Sequence, residues 1–344
     1  MELINATRMT VGYNVGLEPS GRELLVVVVK GSFVLPRPGE PVRLHDAQAP
    51  LVTADSFTGE PGMSAPRHEV DFAPRKRACD VLLAGSAHAL EGREATRLRA
   101  SLCVGAMRKE FDVVGDRVWQ AGLVGVDISQ PLPFARMPIS YDRAFGGAVR
   151  PDEAGGERAV YAPNPVGRGW HGHSKAALID GKPLPNTEVV GQVVQTPDGH
   201  YRPMALGPLG RGWEQRARYA GSYEPPWRDE VFPFLPADFD ERYYQAAPED
   251  QQIDCPQGPL AVALDGFTPD GTRSFVLPYF EAPVTVFPRH GGREAHVGVL
   301  DTLCFEPDEE RFTMTWRVTR PLKKSIFEVA QVRVGLAGHA PGNA

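Results

Sequence analysis

Short runs of hydrophobic residues along the chain predict β-strands. The run 24–29 is rich in β-branched residues, and its apolar character continues to Leu35 before Pro36 ends it. Because its apolar residues are consecutive and do not alternate with polar ones, we expect this strand to be covered on both faces. The segment 98–119 has the pattern of a hairpin, with Gly105-Ala106 as the turn and Gly115-Asp116 at the end of the second arm.

The C-terminal third has the same character. Short apolar runs cover 274–277, 284–287, 297–305 and 312–318. In the last of these, threonine and arginine alternate with large apolar residues, and this period of two predicts a half-buried strand. The run 325–336 fits either a strand or a short helix.

The middle of the chain differs from both ends. Of the 33 prolines, 18 lie between Pro131 and Pro259, and the same stretch is rich in aromatic residues and arginine. Disordered linkers are poor in aromatics, so this composition predicts an ordered but irregular region. Long ordered loop regions are usually functional.

These patterns predict a mainly β fold. We expect sandwich-like or barrel-like antiparallel sheets, a long irregular central region rich in proline, glycine and aromatics, and few short helices. The boundaries are 1–126 for an N-terminal β portion, 127–258 for the central region and 259–344 for a C-terminal β portion. The alternative is that all three form one continuous unit.

Composition narrows the function classes. The 344 residues carry a formal net charge of -6, which gives no general attraction to nucleic acid or to an anionic membrane. The N-terminus has no basic and apolar leader pattern, and the longest apolar run is too short to span a bilayer. The four cysteines are widely spaced and predict free thiols. We therefore expect a cytoplasmic protein without membrane insertion or nucleic-acid binding.

Candidate chemistry in the sequence is sparse. His171 and His173 are the one close histidine pair, but they lie in a glycine-rich stretch, and the next oxygen ligand is Asp180. Ser86 and His88 share one face of a predicted strand without the glycine-flanked nucleophile pattern of hydrolases. We predict no catalytic residues and no metal site.

The sequence Gly-Arg-Gly-Trp occurs twice, at 167–170 and 210–213. Neither copy follows a predicted strand in the way that a phosphate-binding loop does. Both predict tight turns anchored by tryptophan, and no cofactor is expected.

Several stretches, distributed over about 1–320, together resemble one bacterial family. They are GREL (21–24), KGSF (30–33), AD (54–55), GEPG (59–62), DFAPRK (71–76), CDVL (79–82), FDVVGDR (111–117), MPISYDRAFGG (137–147), NPVGRG (164–169), LPN (184–186), Trp227, FLPADFD (234–240) and QAAPEDQQ (245–252). The family, first catalogued as a domain of unknown function, is encoded beside type VI secretion spike, PAAR and effector genes. The resemblance implies a non-enzymatic adaptor, or effector chaperone, that holds a toxic effector and helps to load it onto the spike or PAAR tip.

An adaptor of this kind needs a docking surface, and ordered loops on a β scaffold are suited to provide one. Tryptophan, tyrosine, phenylalanine and arginine are the residues enriched at protein interfaces. The predicted partner contacts, chosen from the central loops on these grounds, are Arg143, Phe145, Arg168, Trp170, Trp213 and Trp227.

Two alternatives come from other classes. The first is a hydrolase with a site in the central loops around His171, His173 and Asp250, which a stoichiometric bound metal would favour. The second is a structural component of the spike, which would travel with the secretion machine.

Overall fold

The computed structural model describes residues 1–122, 125–149 and 159–335, and within them the protein is mainly β. The strands, in chain order, are β1 (Glu2–Asn5), β2 (Thr10–Leu17), β3 (Glu23–Val34), β4 (Ser56–Phe57), β5 (Pro66–His68), β6 (Cys79–Leu83), β7 (Gly85–His88), β8 (Arg97–Val104), β9 (Met107–Val114), β10 (Trp119–Ala121), β11 (Val126–Ile128), β12 (Arg136–Ile139), β13 (Phe145–Gly146), β14 (Ala148–Val149), β15 (Ala159–Val160), β16 (Arg168–Gly169), β17 (Thr187–Glu188), β18 (Gln252–Ile253), β19 (Leu260–Asp265), β20 (Arg273–Leu277), β21 (Ala282–Pro288), β22 (Glu294–Glu306), β23 (Arg311–Pro321) and β24 (Val329–Val334).

The helical elements are short. They are α1 (Ala176–Ile179), α2 (Glu214–Ala217), a π-helical turn (Trp227–Val231) and 3-10 turns at Leu90–Gly92, Tyr141–Arg143, Glu241–Tyr244, Glu249–Gln251, Pro307–Glu309 and Ile326–Glu328. Among the helices of the described ranges, none combines the length and the hydropathy that crossing a membrane requires.

The largest sheet is nearly closed and barrel-like, with the strand order β1-β24-β21-β22-β23-β3-β2. Strand β6 adds in parallel to the second half of β22, and β18 pairs with β6. The longest pairing in this main sheet joins β3 to β23, in register from Leu24–Pro321 to Val34–Arg311. Strands from the two ends of the chain are therefore neighbours in one sheet.

A second sheet has the order β17-β9-β8-β19-β20. Its hairpin β8–β9 turns at Gly105, whose positive φ of 57° is readily adopted by glycine. Side chains from both sheets fill a common core, in which Phe111 packs edge-to-face on Phe267 and Phe275 packs on Phe305. The second sheet also joins the first and last portions of the chain, through the pairing of β8 with β19.

The expected strands are confirmed in these sheets. Strand β3 is buried on both faces, as its uninterrupted apolar run predicts. The last run is a strand, β24, preceded by a single 3-10 turn; of the predicted run 325–336, Leu336 lies outside the described residues.

The prediction of a half-buried β23 is wrong. Its polar residues Thr313, Thr315 and Arg317 are as buried as the apolar residues between them, and Thr315 is only 1% exposed. The reason is that irregular segments lie over this face of the sheet and supply charged partners to it. Alternation shows two faces of different chemistry, but it does not show that the polar face meets water.

In its described residues, 127–149 and 159–258, the central region is ordered and mostly irregular. Several of its short strands lie in two-stranded pairs: β12 with β7, β13 with β16, and β14 with β15. Two small cores hold the loops together. One contains Tyr141, Leu209 and Trp213, and the other contains Trp119 and Phe145 with their neighbours.

Candidate functional site

The motif at 137–147 and the motif at 164–169 form one packed unit. Gly146 has a φ of 153°, and a side chain there would collide with the backbone carbonyl of Asn164. The buried Asn164 side-chain amide donates to the carbonyls of Tyr141, at 2.8 Å, and of Phe145, at 3.1 Å. Glycine is needed because the two backbones approach so closely. The two motifs are therefore held in one fixed geometry.

Two of the predicted contact residues, Arg143 and Arg168, are half-buried and fix this geometry. Arg143 Nη1 donates to Asn186 Oδ1 at 3.0 Å and lies 3.5 Å from an Asp116 carboxylate oxygen. Arg168 Nε donates to the Asp142 carbonyl at 3.0 Å. Both arginines therefore connect neighbouring loops through these contacts. Their direct contact with a partner protein stays a prediction.

Phe145 and Trp213 lie in the interior. Phe145 is fully buried and packs edge-to-face on Tyr161 and Tyr201, with ring centroids 5.1 and 4.9 Å apart. Trp213 packs edge-to-face on Tyr141 at 5.1 Å. Neither ring is presented at the surface, because loops this poor in regular structure need large side chains to fill their own cores. Their burial favours a structural role over the predicted contact role.

Trp170 is half-buried at the margin of the Phe145 core. Its ring lies 5.9 Å from that of Tyr161, and its backbone N–H donates to the Gly146 carbonyl at 3.1 Å. The first Gly-Arg-Gly-Trp copy is thus held by β16 and its pairing with β13. The second copy is a turn that leads directly into α2.

Trp227 lies at the centre of an exposed group of four aromatic side chains, here called the aromatic surface: Tyr223, Trp227, Phe232 and Phe234. Tyr223 is 50% exposed, Phe232 67% and Phe234 45%. The Trp227 ring packs edge-to-face on Tyr223 at 4.7 Å and on Phe232 at 5.7 Å, and its Nε1–H donates to the Phe234 carbonyl at 2.9 Å. The rings of Tyr223, Trp227 and Phe232 pack on one another, and the Phe234 ring lies against Gly21.

Charged side chains lie beside the aromatic surface. Arg228, Asp229 and Glu230 follow Trp227 in the π-helical turn, and Arg228 Nε donates to Asp229 at 3.1 Å. An apolar centre with a charged border is the arrangement of protein interfaces. Sequence reasoning singled out Trp227 alone, because the exposure of the other three rings cannot be read from composition. The available signal was the spacing of these aromatics between prolines in 223–236.

A groove of about 510 Å³ lies along β12 and the Tyr141–Arg143 turn. Strand β7, the segment 58–67 and the Pro307–Glu309 turn line its other sides. We call it the motif groove, because much of one wall is the motif at 137–147. Its lining is mixed, with backbone, hydroxyl, guanidinium and carboxylate groups facing the opening.

Four side chains in and beside the motif groove form a closed hydrogen-bonded cluster. The Ser86 hydroxyl donates to Asp308 Oδ2 at 2.8 Å, and His88 Nε2 lies 3.0 Å from Asp308 Oδ1. Arg136 donates through Nη2 to Asp308 at 2.7 Å and through Nε to the Ser86 hydroxyl oxygen at 3.0 Å. Burial would raise the pKa of Asp308, but the hydrogen bonds from His88, Arg136 and Ser86 outweigh it and hold that pKa below its ordinary value.

The order of groups in this cluster does not suit nucleophilic catalysis. In a serine triad the imidazole lies between the hydroxyl and the carboxylate. Here the carboxylate of Asp308 lies between Ser86 and His88, so the hydroxyl proton is directed to a weak base with a lowered pKa. The cluster links β7 and β12 to the turn after β22.

The residues of the hydrolase alternative have different partners. The His173 side chain is almost fully exposed, with Nδ1 3.6 Å from an Asp198 oxygen. An Asp250 carboxylate oxygen instead lies 2.8 Å from an Arg202 nitrogen and 3.2 Å from Lys109 Nζ. In the parts of the chain that the structure covers, no three histidine, cysteine, aspartate or glutamate side chains are grouped so as to hold a metal ion.

The polar face of the main sheet carries a feature that sequence reasoning missed, here called the buried charge network. Its ion pairs are Lys30–Asp71 at 2.9 Å, Lys76–Asp80 at 2.6 Å and Arg317–Asp301 at 3.0 Å. All six side chains are at most about 10% exposed, and four of them, Lys30, Asp71, Lys76 and Arg317, line a cavity of about 170 Å³.

The network shifts the pKa values of its members. Burial alone would lower the pKa of Lys76, but the carboxylates of Asp80, Glu69 and Asp301 outweigh it and hold that pKa above 10.5. Burial raises the pKa of Asp301, although Arg317 and Lys76 act against it. Charges this deep persist because each has an opposite charge beside it.

Residues 20–317 match the model of a family described as "Uncharacterized protein conserved in bacteria (DUF2169)". A search of curated proteins and a search of solved structures each found no match to the chain.

Proposed function

The chain belongs to this DUF2169 family of bacterial proteins, and we propose that it is a type VI secretion adaptor, a non-enzymatic chaperone. In this proposal it binds a toxic effector in the cytoplasm and helps to load that effector onto the spike or PAAR tip. The resemblance in the motifs at 137–147, 164–169 and 245–252 supports the proposal from the sequence. The observation that carries it is the aromatic surface.

The aromatic surface has the properties of a docking site for a polypeptide. Large aromatic rings contribute most of the binding energy at many interfaces, particularly where they cluster. Phe232 is two-thirds exposed, so covering it removes more apolar area from water than covering any of the three rings beside it. The occupant that suits this face is an apolar segment of the effector, and the neighbouring Arg228, Asp229 and Glu230 would set its orientation.

The packing of the central region supports this role. Each of the two small cores of the central region is built around aromatic pairs. A preorganised surface loses less conformational entropy on binding than a flexible one. Arg143, Arg168 and Trp170 are part of this support, and we keep their exposed atoms as secondary contacts in the proposal.

The test is affinity purification of the tagged protein from its own bacterium, with mass spectrometry of what co-purifies. We expect one effector in near-stoichiometric amount, together with a spike or PAAR protein. Phe232→Ala should lose the effector, because a central interface aromatic typically contributes about 2 kcal/mol or more. The control is Leu90→Ala, which removes a side chain that is 61% exposed on a different part of the surface.

The outcomes separate the proposal from its alternatives. Equal effector recovery with Phe232→Ala and with Leu90→Ala would show that the aromatic surface does not bind the effector. A protein that purifies alone while the secretion system is expressed would contradict the adaptor role itself. Secretion-dependent appearance of the intact protein in the culture supernatant would instead favour a structural spike component.

A further inference from the structure

A second cavity, of about 270 Å³, lies between β9 and the irregular segments 202–219 and 242–252. Lys109 and Tyr141 line it, and both side chains are buried. Lys109 Nζ donates to Gln251 Oε1 at 2.7 Å and to Asp250 at 3.4 Å. This cavity therefore has a buried ammonium group and a phenol in its lining, both of which can donate a hydrogen bond to an acceptor.

Three half-exposed arginines also line this cavity. An Arg202 nitrogen lies 2.8 Å from the Asp250 carboxylate, which also pairs with Lys109. Arg218 and Arg242 lie over the ring of Tyr219, with guanidinium carbons 4.7 and 4.2 Å from its centroid. Arg218 also pairs with Glu249 and Arg242 with Asp240, each at 2.7 Å, and a guanidinium group has further N–H donors for the oxygens of a carboxylate or a phosphate.

The charges of the cavity do not balance. Five cations line it, and the carboxylates in its wall are Glu249 and Asp250. Arg216 and Arg242 pair with carboxylates outside the wall, Glu69 and Asp240. Glu69 also pairs with Arg211, and Asp240 also pairs with Arg77. Even with all four carboxylates counted, one positive charge remains, in a chain whose net charge is -6.

Asp250 shows how the cavity holds a carboxylate. Its single charge lies between Lys109 and Arg202, so these two cations are only partly neutralised. Burial lowers the pKa of Lys109 to about 8, and the Asp250 carboxylate acts against that shift. The ammonium group is thus mostly charged at neutral pH, and a second anion beside it would be stabilised.

We propose that this cavity is a binding site for a small organic anion that carries a carboxylate or phosphate group. Lys109 and Arg202 hold the anionic group, and Arg218 and Arg242 attract it from solvent. The apolar lining, which includes Pro203, Leu209 and Ala247, accommodates a compact organic body. The volume is just below the range of roughly 300–1,000 Å³ that drug-sized ligands occupy, which indicates a small ligand. The proposal does not depend on the adaptor role.

The experiment is titration of the full-length protein with two probes, inorganic phosphate and N-acetylalanine, at low ionic strength. Calorimetry measures affinity, and thermal unfolding is compared with sodium chloride at equal ionic strength. We expect Lys109→Met and Arg202→Gln each to weaken binding of the preferred probe at least tenfold. Arg108→Gln is the matched control, because it removes an exposed cation from the neighbouring position on β9 and should change affinity less than twofold.

The probes also identify the anionic group. Preference for phosphate assigns a phosphate-bearing ligand, and preference for N-acetylalanine assigns a carboxylate such as a peptide C-terminus. If Lys109→Met does not fold, as judged by circular dichroism, the test rests on the affinity of Arg202→Gln, because the Arg202 side chain is more exposed. The proposal is overturned if neither probe stabilises the wild-type protein beyond sodium chloride. It is equally overturned if Lys109→Met, when folded, and Arg202→Gln bind as Arg108→Gln does.

Discussion

The buried charge network and the aromatic surface reverse the usual placement of side chains. On the main sheet, Lys76, Asp80 and Arg317 are enclosed beneath irregular segments. In the segment 223–234, Tyr223 and Phe232 are at least half-exposed. Charged side chains normally stay in water, and aromatic rings are normally buried. Each region therefore has an unfavourable solvation free energy that other interactions must offset.

The two regions differ in which interactions offset this unfavourable solvation free energy. The network is compensated within the chain, because every charge in it has an opposite charge within about 3 Å. The aromatic surface has only partial compensation within the chain, from ring-to-ring contacts. We infer that the network specifies the fold and that the aromatic surface is completed by a partner.

The largest expected effect comes from breaking the network at Lys76. Lys76→Met leaves the Asp80 carboxylate buried with only the neutral donors Gln245 and Ala246. The free energy of unfolding should fall by about 3–5 kcal/mol, as when one partner of a buried ion pair is removed. Urea unfolding measures this, and Arg75→Gln, at an exposed neighbouring position, is the control, with an expected change within about 0.5 kcal/mol.

A smaller loss is expected at Asp71. Its Oδ2 accepts from Lys30 Nζ at 2.9 Å and from the Val52 N–H at 2.7 Å, so it ties the covering segment to the sheet. Asp71→Asn should cost about 1.5–3 kcal/mol, less than removal of a whole partner, because the amide oxygen of asparagine can still accept from Lys30 and only the negative charge is lost. Hydrogen exchange should also become faster near Val52. Asp46→Asn, in the same segment but at the surface, should leave both quantities unchanged.

The raised pKa of Lys76 predicts an alkaline limit to stability. A pKa that is higher in the folded state than in the unfolded state stabilises the fold below the unfolded value, which is about 10.4. That contribution is lost as the pH rises through the folded-state pKa. The difference in unfolding free energy between wild type and Lys76→Met should therefore narrow above about pH 10.5. A difference that stays constant or widens there would show that Lys76 is not stabilised in its charged form.

The smallest effect on stability is expected at the aromatic surface. Phe232→Ala removes a largely exposed ring, so the free energy of unfolding should change by no more than about 0.5 kcal/mol. Binding of the effector should nevertheless weaken strongly. A loss of stability as large as that of Asp71→Asn would mean that the ring is needed for the fold, and the comparison between the two regions would fail.

The sequence was sufficient for local elements of the fold. The uninterrupted apolar run of β3 and the Gly105 turn of the β8–β9 hairpin are confirmed. The sequence could not reveal the pairing of β3 with β23, because residues almost 300 positions apart leave no local pattern. The sequence-based prediction for the polar face of β23 was also wrong. Its threonines and Arg317 have the pattern of a solvent-facing side, but Arg317 contacts Asp71 and Asp301 in the interior.

The candidate site was predictable only in part. Composition predicted an ordered central region, as the described residues show, and Trp227 as a partner contact, which stays a prediction. It could not separate this ring from Phe145 and Trp213, which have the same chemistry but fill small cores. The charged cavity around Lys109 was also hidden, because its arginines and Asp250 come from separate segments that only the fold brings together.

The central claim is that the aromatic surface is where the effector binds, and hydrogen–deuterium exchange with mass spectrometry tests it most directly. Exchange would be measured on the wild-type protein alone and in complex with the effector recovered by affinity purification. We predict slower exchange in peptides covering 221–236 in the complex and no change in peptides around Leu90. Unchanged exchange across 221–236, with protection in another part of the chain, would contradict the account.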